Sequence, residues 1–130
     1  IGLANFEYIE EILKRRKMQV EYYDNILFKN SISLKKQELN NKMTKYNYSY
    51  YPLIFPDVKT TLKIQKVLLE NKIISRRYFY PLINSLEYIK TEKNTPHSNK
   101  IGGKILCLPL HHYLKKSDQN KITKLILKAI

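Results

Sequence analysis

Apolar residues recur at spacings of three and four from the start of the chain, at Phe6, Ile9, Leu13, Val20, Tyr23 and Leu27. The step is seven where Arg16 intervenes, and acids and bases fill the positions between. This period predicts one long amphipathic helix from Gly2 to about Phe28. At about 1.5 Å of rise per residue it would extend about 40 Å, more than a small domain needs to cover. Part of its apolar stripe is expected to pack on the remainder of a longer protein or on a second subunit. The first residue is Ile1 and "IGLANFEYIEEILKRR" reads as the middle of a helix, so the sequence is expected to be a piece of a longer protein.

Periodicity then fades. Residues 30–46, "NSISLKKQELNNKMTKY", read as a polar connector with a short strand. "NYSYYPLIF" at 47–55 is dense in aromatic and β-branched residues and closes on Pro56, a strand signature. Asp57 is a natural N-cap for a helix to about Asn71, marked by Val58, Leu62, Gln65 and Leu69 and flanked by Thr61, Ile64 and Leu68. "KIISRRYFY" at 72–80 predicts a second strand stopped by Pro81. Period-two alternation places Ile74, Arg76, Tyr78 and Tyr80 on one face and Ile73, Ser75, Arg77 and Phe79 on the other.

Residues 83–100 read mostly as loop, with "TEKNTPHSNK" as its mobile tip and Gly102-Gly103 as a turn. "KILCLPL" at 104–110 predicts a third strand, and a closing helix follows with Ser117 as N-cap and Ile122, Leu125, Ile126 and Ala129 as its buried stripe. The order predicts an α+β domain: a small, mainly antiparallel sheet of about three strands packed by helices, led by a long N-terminal amphipathic helix. The 130 residues suit one domain, with 1–28 as a linking helix and 47–130 as the α+β core.

Charge alters this picture less than its size suggests. The 24 Lys and Arg against 11 Asp and Glu give +13, which invites a polyanion partner. The lysines, however, are spread along the whole chain, and "KRRK" at 14–17 sits on a helix, where such runs are usually a solvated face. The alternative to an enzyme is a basic RNA- or polyanion-binding module stacking bases on Tyr78, Phe79 and Tyr80 beside Arg76 and Arg77. Against it, the chain has no ribonucleoprotein motif. A structural remnant without activity is a third reading.

The residues suited to self-contained catalysis are few. Cys107 is the only cysteine, so no internal disulfide forms and a reducing cytoplasm is the expected location. Within "ILCLPL" it reads as a small buried hydrophobe. His111 and His112 are adjacent and cannot form the i, i+4 pair of a helical zinc site. "IGGK" lacks the spacing of a phosphate-binding loop. Lys100 in "PHSNK" has nothing visible to activate it by desolvation. No apolar run approaches the ~20 residues needed to span a bilayer.

Four stretches, "GLANFEYIEEILKRR", "YYPLIF", "SRRYFYPL" and "ILCLPLHHYL", resemble in order and spacing the C-terminal third of sugar-nucleotide aminotransferases of the DegT/StrS type. These are fold-type-I, aspartate-aminotransferase-like enzymes that use pyridoxal phosphate (PLP). The resemblance implies a parent enzyme that moves an amino group from an amino acid, typically glutamate, to a keto-deoxysugar nucleotide for polysaccharide or glycoconjugate synthesis. It also implies a missing N-terminal large domain and a homodimer. The Schiff-base lysine, the carboxylate for the pyridinium nitrogen and the phosphate cradle lie upstream in that family. The resemblance therefore assigns no catalytic residue to this chain, and no PLP is expected bound to it alone. It does place Arg76, Tyr78 and Tyr80 in the wall of the substrate site, with Arg76 set to contact an anionic group, because guanidinium binds carboxylate or phosphate bidentately. Ile83 stands where several relatives carry a histidine.

Overall fold

The structure, a computed structural model, describes residues 6–31, 33–37, 46–89 and 95–130. The long helix α1 runs Ile9–Asn30, and ion pairs one turn apart lie along its outer side, Glu11 with Arg15 at 2.6 Å and Lys17 with Glu21 at 3.8 Å. Only its second half meets the core: Tyr23 and Leu27 are fully buried, whereas Phe6, Tyr8 and Ile9 are exposed. The expected apolar stripe is thus covered at one end and bare at the other.

Strand β1 (Lys35–Lys36) falls in the expected connector, and residues 38–45 of that connector lie outside the described residues. Strand β2 is Tyr51–Ile54, shorter than the 47–55 expected. The left-handed backbone of Tyr48, φ 50°, interrupts the extended run before it. Helix α2 (Val58–Glu70) starts as expected at Asp57, whose carboxylate accepts the Thr60 backbone N–H at 2.7 Å and the Thr60 hydroxyl at 3.0 Å. It buries Thr61, Ile64 and Leu68, leaving Val58, Leu62 and Leu69 exposed. Its C-terminus closes with Lys72 at φ 62°; the Lys72 N–H donates to Leu69 O and the Ile73 N–H to Leu68 O, each at 2.9 Å. This double bond pattern usually relies on glycine, and here a lysine adopts the left-handed position while Ile73 packs on the core.

The expected second strand is cut down to β3, Arg76–Arg77. The expected loop over 83–100 instead contains a 3-10 turn at Ile83–Ser85 and the short helix α3, Pro96–Ile101. Pro96 at the first helical position explains that start, since it has no N–H to satisfy there. The described part of "TEKNTPHSNK" is therefore helical, and its residues 91–94 lie outside the described set. A 3-10 turn at Gly102–Lys104 leads into β4, Ile105–Leu108. Helix α4 is Lys116–Ala129, capped at Lys115 and not at Ser117: Asp118 reaches back to accept the Lys115 N–H at 3.4 Å. Ile122, Ile126 and Ala129 are buried as expected, with Leu125 partly buried beside them.

The sheet has four strands in the order β1-β2-β4-β3, every pair antiparallel. Tyr51 faces Leu108 and Leu53 faces Leu106, and these four side chains meet Tyr23, Leu27, Ile64, Leu68, Ile122 and Ile126 in one core. Helix α4 packs against both α1 and α2, and these three helices lie on this face of the sheet. The core reaches back to Tyr23, Leu27 and Leu34, well before residue 47. Paired glutamines tie the layers: Gln19 Nε2 donates to His111 O at 2.8 Å and Leu114 O at 3.1 Å, and Gln119 Nε2 donates to Gln19 O at 2.9 Å.

Candidate functional site

In an antiparallel ladder, directly opposed residues point to the same side. Arg77 opposes Leu106, whose side chain is in the helix-covered core, and Arg76 opposes Cys107, which in turn opposes Pro52 on the other face. The two arginines thus diverge as alternation requires. Arg76 is exposed on the face turned away from the helices.

Beyond Arg77 the alternation fails. Phe79 has the left-handed φ of 45°, so Tyr80 does not continue the row of Arg76 and Tyr78. Its ring lies instead under the Arg77 guanidinium, 3.3 Å from carbon to centroid. The expected grouping of Arg76, Tyr78 and Tyr80 on one face is corrected to this extent: Tyr80 partners Arg77. Tyr78 has its ring centroid 4.3 Å from that of Phe79 and 5.7 Å from that of Tyr50.

Two further groups define the Arg76 face. Burial pushes the Cys107 thiol up to about 11, with the positive charge of Arg76 acting in the opposite direction. The thiol is protonated at neutral pH, in keeping with a small buried hydrophobe. The Tyr46 hydroxyl donates to Tyr50 O at 3.2 Å, and the Tyr50 ring packs on that of Tyr78; the Tyr46 phenol is raised by burial first and then by Tyr78, Cys107 and Tyr48. Among the described residues the ion pairs lie elsewhere, at Glu11, Glu21, Asp24 and Glu70, and neither Arg76 nor Arg77 has a carboxylate partner.

Sequence reasoning missed the neighbouring cavity, of about 530 Å³, walled by Asp24, Lys36, Tyr46, Tyr48, Tyr50 and Tyr51 among others. The signal was present in "YNYSYY", four tyrosines in six residues. Their density read as strand propensity, but an irregular backbone over 46–50 turns them into a wall.

PLP chemistry needs a desolvated amine, a carboxylate and a phosphate cradle. Lys100 stands exposed on α3. Asp24, a partly buried carboxylate, is engaged by Tyr51 and Lys36. No group of three or more His, Cys, Asp or Glu among them is placed to hold a metal ion, and His97, His111 and His112 do not converge.

With this geometry in view, comparison with known proteins is decisive for family. The DegT/DnrJ/EryC1/StrS aminotransferase family matches residues 1–127. The chain belongs to this family. It is 34% identical over 134 residues to the dTDP-4-amino-4,6-dideoxy-D-glucose transaminase of Escherichia coli, a match covering 97% of this chain and 35% of the relative. Among solved structures, the aminotransferase TlmJ from Streptoalloteichus hindustanus superposes with a TM-score of 0.87 at 20% identity, covering 98% of this chain and 34% of that one. The PLP form of Spr1654 from Streptococcus pneumoniae gives 0.84 at 20% identity, covering 98% and 33%. At such identity these two likenesses are of fold. The chain spans about a third of the length of the family members it matches. No helix among the described residues is long and apolar enough to cross a membrane.

Proposed function

We propose that this chain is the C-terminal small domain of a PLP-dependent aminotransferase that transfers an amino group from an amino acid, glutamate by the resemblance, to a keto-deoxysugar nucleotide. Arg76 is its anion contact, Tyr78 the neighbouring aromatic wall and Tyr80 the edge of that wall. The observation that carries this reading is the placement of Arg76: an exposed guanidinium without a carboxylate partner among the described residues, on the sheet face turned away from α1, α2 and α4. The name of the Escherichia coli relative supports a nucleotide-linked 4-amino sugar as product class.

The reactive lysine and the rest of the cofactor site belong in this reading to a larger N-terminal part, and the enzyme works as a homodimer in the cytoplasm. The bare start of α1, with Ile9 exposed and Phe6 and Tyr8 exposed just before it, supports a covering partner from that part or from a second subunit. Bound PLP supplies the electron sink, and the residues of this chain bind and orient substrate.

The test uses the whole protein. Arg76→Ala raises KM for the nucleotide sugar about 10- to 100-fold, the range for losing a charge-assisted bidentate contact, and Arg76→Lys recovers part of it. A rise confined to KM for the amino acid would transfer the contact to the donor carboxylate, and no change in either constant would defeat the assignment.

A further inference from the structure

Arg77 points away from the open face, and its surroundings are built. The guanidinium sits over the Tyr80 ring at 3.3 Å, and Nη2 donates to Gly103 O at 3.2 Å. Its Nε is buried and without a partner. With no carboxylate in reach among the described residues, the charge is balanced by the negative face of the phenol ring and by a carbonyl. The turn packs closely at this point: a Cβ added at Gly103 would stand 3.0 Å from Val58 Cγ2 and in ordinary contact, 3.8 Å, with Arg77 Nη2. Stack and hydrogen bond join three separate points, the end of β3, Tyr80 beyond the left-handed Phe79, and the turn that leads into β4.

We propose that Arg77 is a positioning residue for the substrate wall: it touches no substrate, and it fixes Tyr80 and the segment following Arg76 against the Gly102–Gly103 turn. The inference rests on the functional reading above. Its chemistry is specific to arginine. A planar guanidinium can cover a ring with its face while an edge N–H reaches a carbonyl, and a lysine ammonium, a compact and strongly hydrated point charge, cannot hold both contacts in that geometry. Without the clamp, Tyr80 and the backbone around it are free to leave the position the wall requires.

In the whole protein, Arg77→Met and Tyr80→Leu each raise KM for the nucleotide sugar about tenfold with kcat held within about twofold, and the double variant is no worse than either, because residues acting as one unit are not additive. Arg77→Lys behaves like Arg77→Met. An additive loss of about 100-fold in the double variant, or a wild-type KM in Arg77→Lys, overturns the proposal. Amide hydrogen exchange over residues 78–82 and 101–104 supplies a readout free of turnover: it speeds up in both Arg77 variants, and unchanged exchange overturns the clamp. Faster exchange in a protein that does not aminate nucleotide sugars upholds the clamp while removing the functional reading, so the two failures are distinct.

Discussion

The Tyr51 hydroxyl donates a 2.8 Å hydrogen bond to one oxygen of Asp24, and the other oxygen receives the Lys36 ammonium at 2.6 Å. One carboxylate on α1 therefore holds β2 and β1 together at the edge of the sheet. The Tyr23 ring stacks beside Tyr51 with centroids 4.9 Å apart, so the polar contact is continuous with the core.

Tyr51→Phe removes the donor and leaves Asp24 with Lys36 alone. The expected cost is about 2 kcal/mol, typical of a hydrogen bond to a charged group. It is read as a lower denaturant midpoint with unchanged slope.

The same pair of tyrosines predicts alkaline sensitivity. Burial, with the nearby negative charge of Asp118, raises the Tyr23 phenol; burial, with the charge and hydrogen bond of Asp24, raises that of Tyr51. Both are titrated near their ordinary value of about 10 once unfolded. The folded state then holds more protons, so their contribution is complete below about pH 10 and is lost as pH rises beyond it. Unfolding midpoints followed across that range should fall in the wild type and flatten in Tyr23→Phe/Tyr51→Phe; a flat wild-type profile would refute this.

Asp57 acts at the other end of the pH scale. The Thr60 backbone N–H first, and its hydroxyl second, hold the carboxyl below the usual range. A depressed folded value gives stability present above the unfolded value of about 3.9 and lost as pH falls through the folded one. Asp57→Asn keeps a capping oxygen and should weaken that acid response, while Asp57→Ala should lower the melting temperature at neutral pH as well. Equal neutral-pH stability in the alanine variant would remove the cap from the account.

Gly102 is buried against Leu82, and an added Cβ would lie 2.9 Å from Leu82 Cγ and 3.0 Å from Cδ1. Gly102→Ala is expected to destabilise by about 1–3 kcal/mol through overpacking. Shortening the neighbour in Gly102→Ala/Leu82→Ala should recover part of that loss, a non-additivity that thermal denaturation of the four variants measures.

Much of the framework was legible because it depends on neighbours in sequence. The stripe Ile122, Ile126, Ala129 and the cap at Asp57 are consequences of helical period and of one side chain within reach of the next turn. "SRRYFYPL" shows where that logic ends. Alternation separated Arg76 from Arg77 correctly, since both lie in β3, and misplaced Tyr80 because the backbone turns left-handed at Phe79 and no longer alternates. The tyrosines of 46–51 pointed to a strand by composition, and a wall resulted because only Tyr51 enters the ladder.

The amino-acid sequence by itself determined the α+β class, the long amphipathic helix, the capped helix after Asp57, the divergence of the two arginines and the aminotransferase family. These follow from local period, local hydrogen bonding and ordered motifs. Tertiary structure alone decided which face of the sheet the helices cover, and so that Arg76 is open and Arg77 clamped. That outcome depends on the pairing of β3 with β4 and on the approach of Gly103 to Arg77, 26 residues apart in the chain. Side chains that distant meet only when the core closes, and no pattern along the sequence records the meeting.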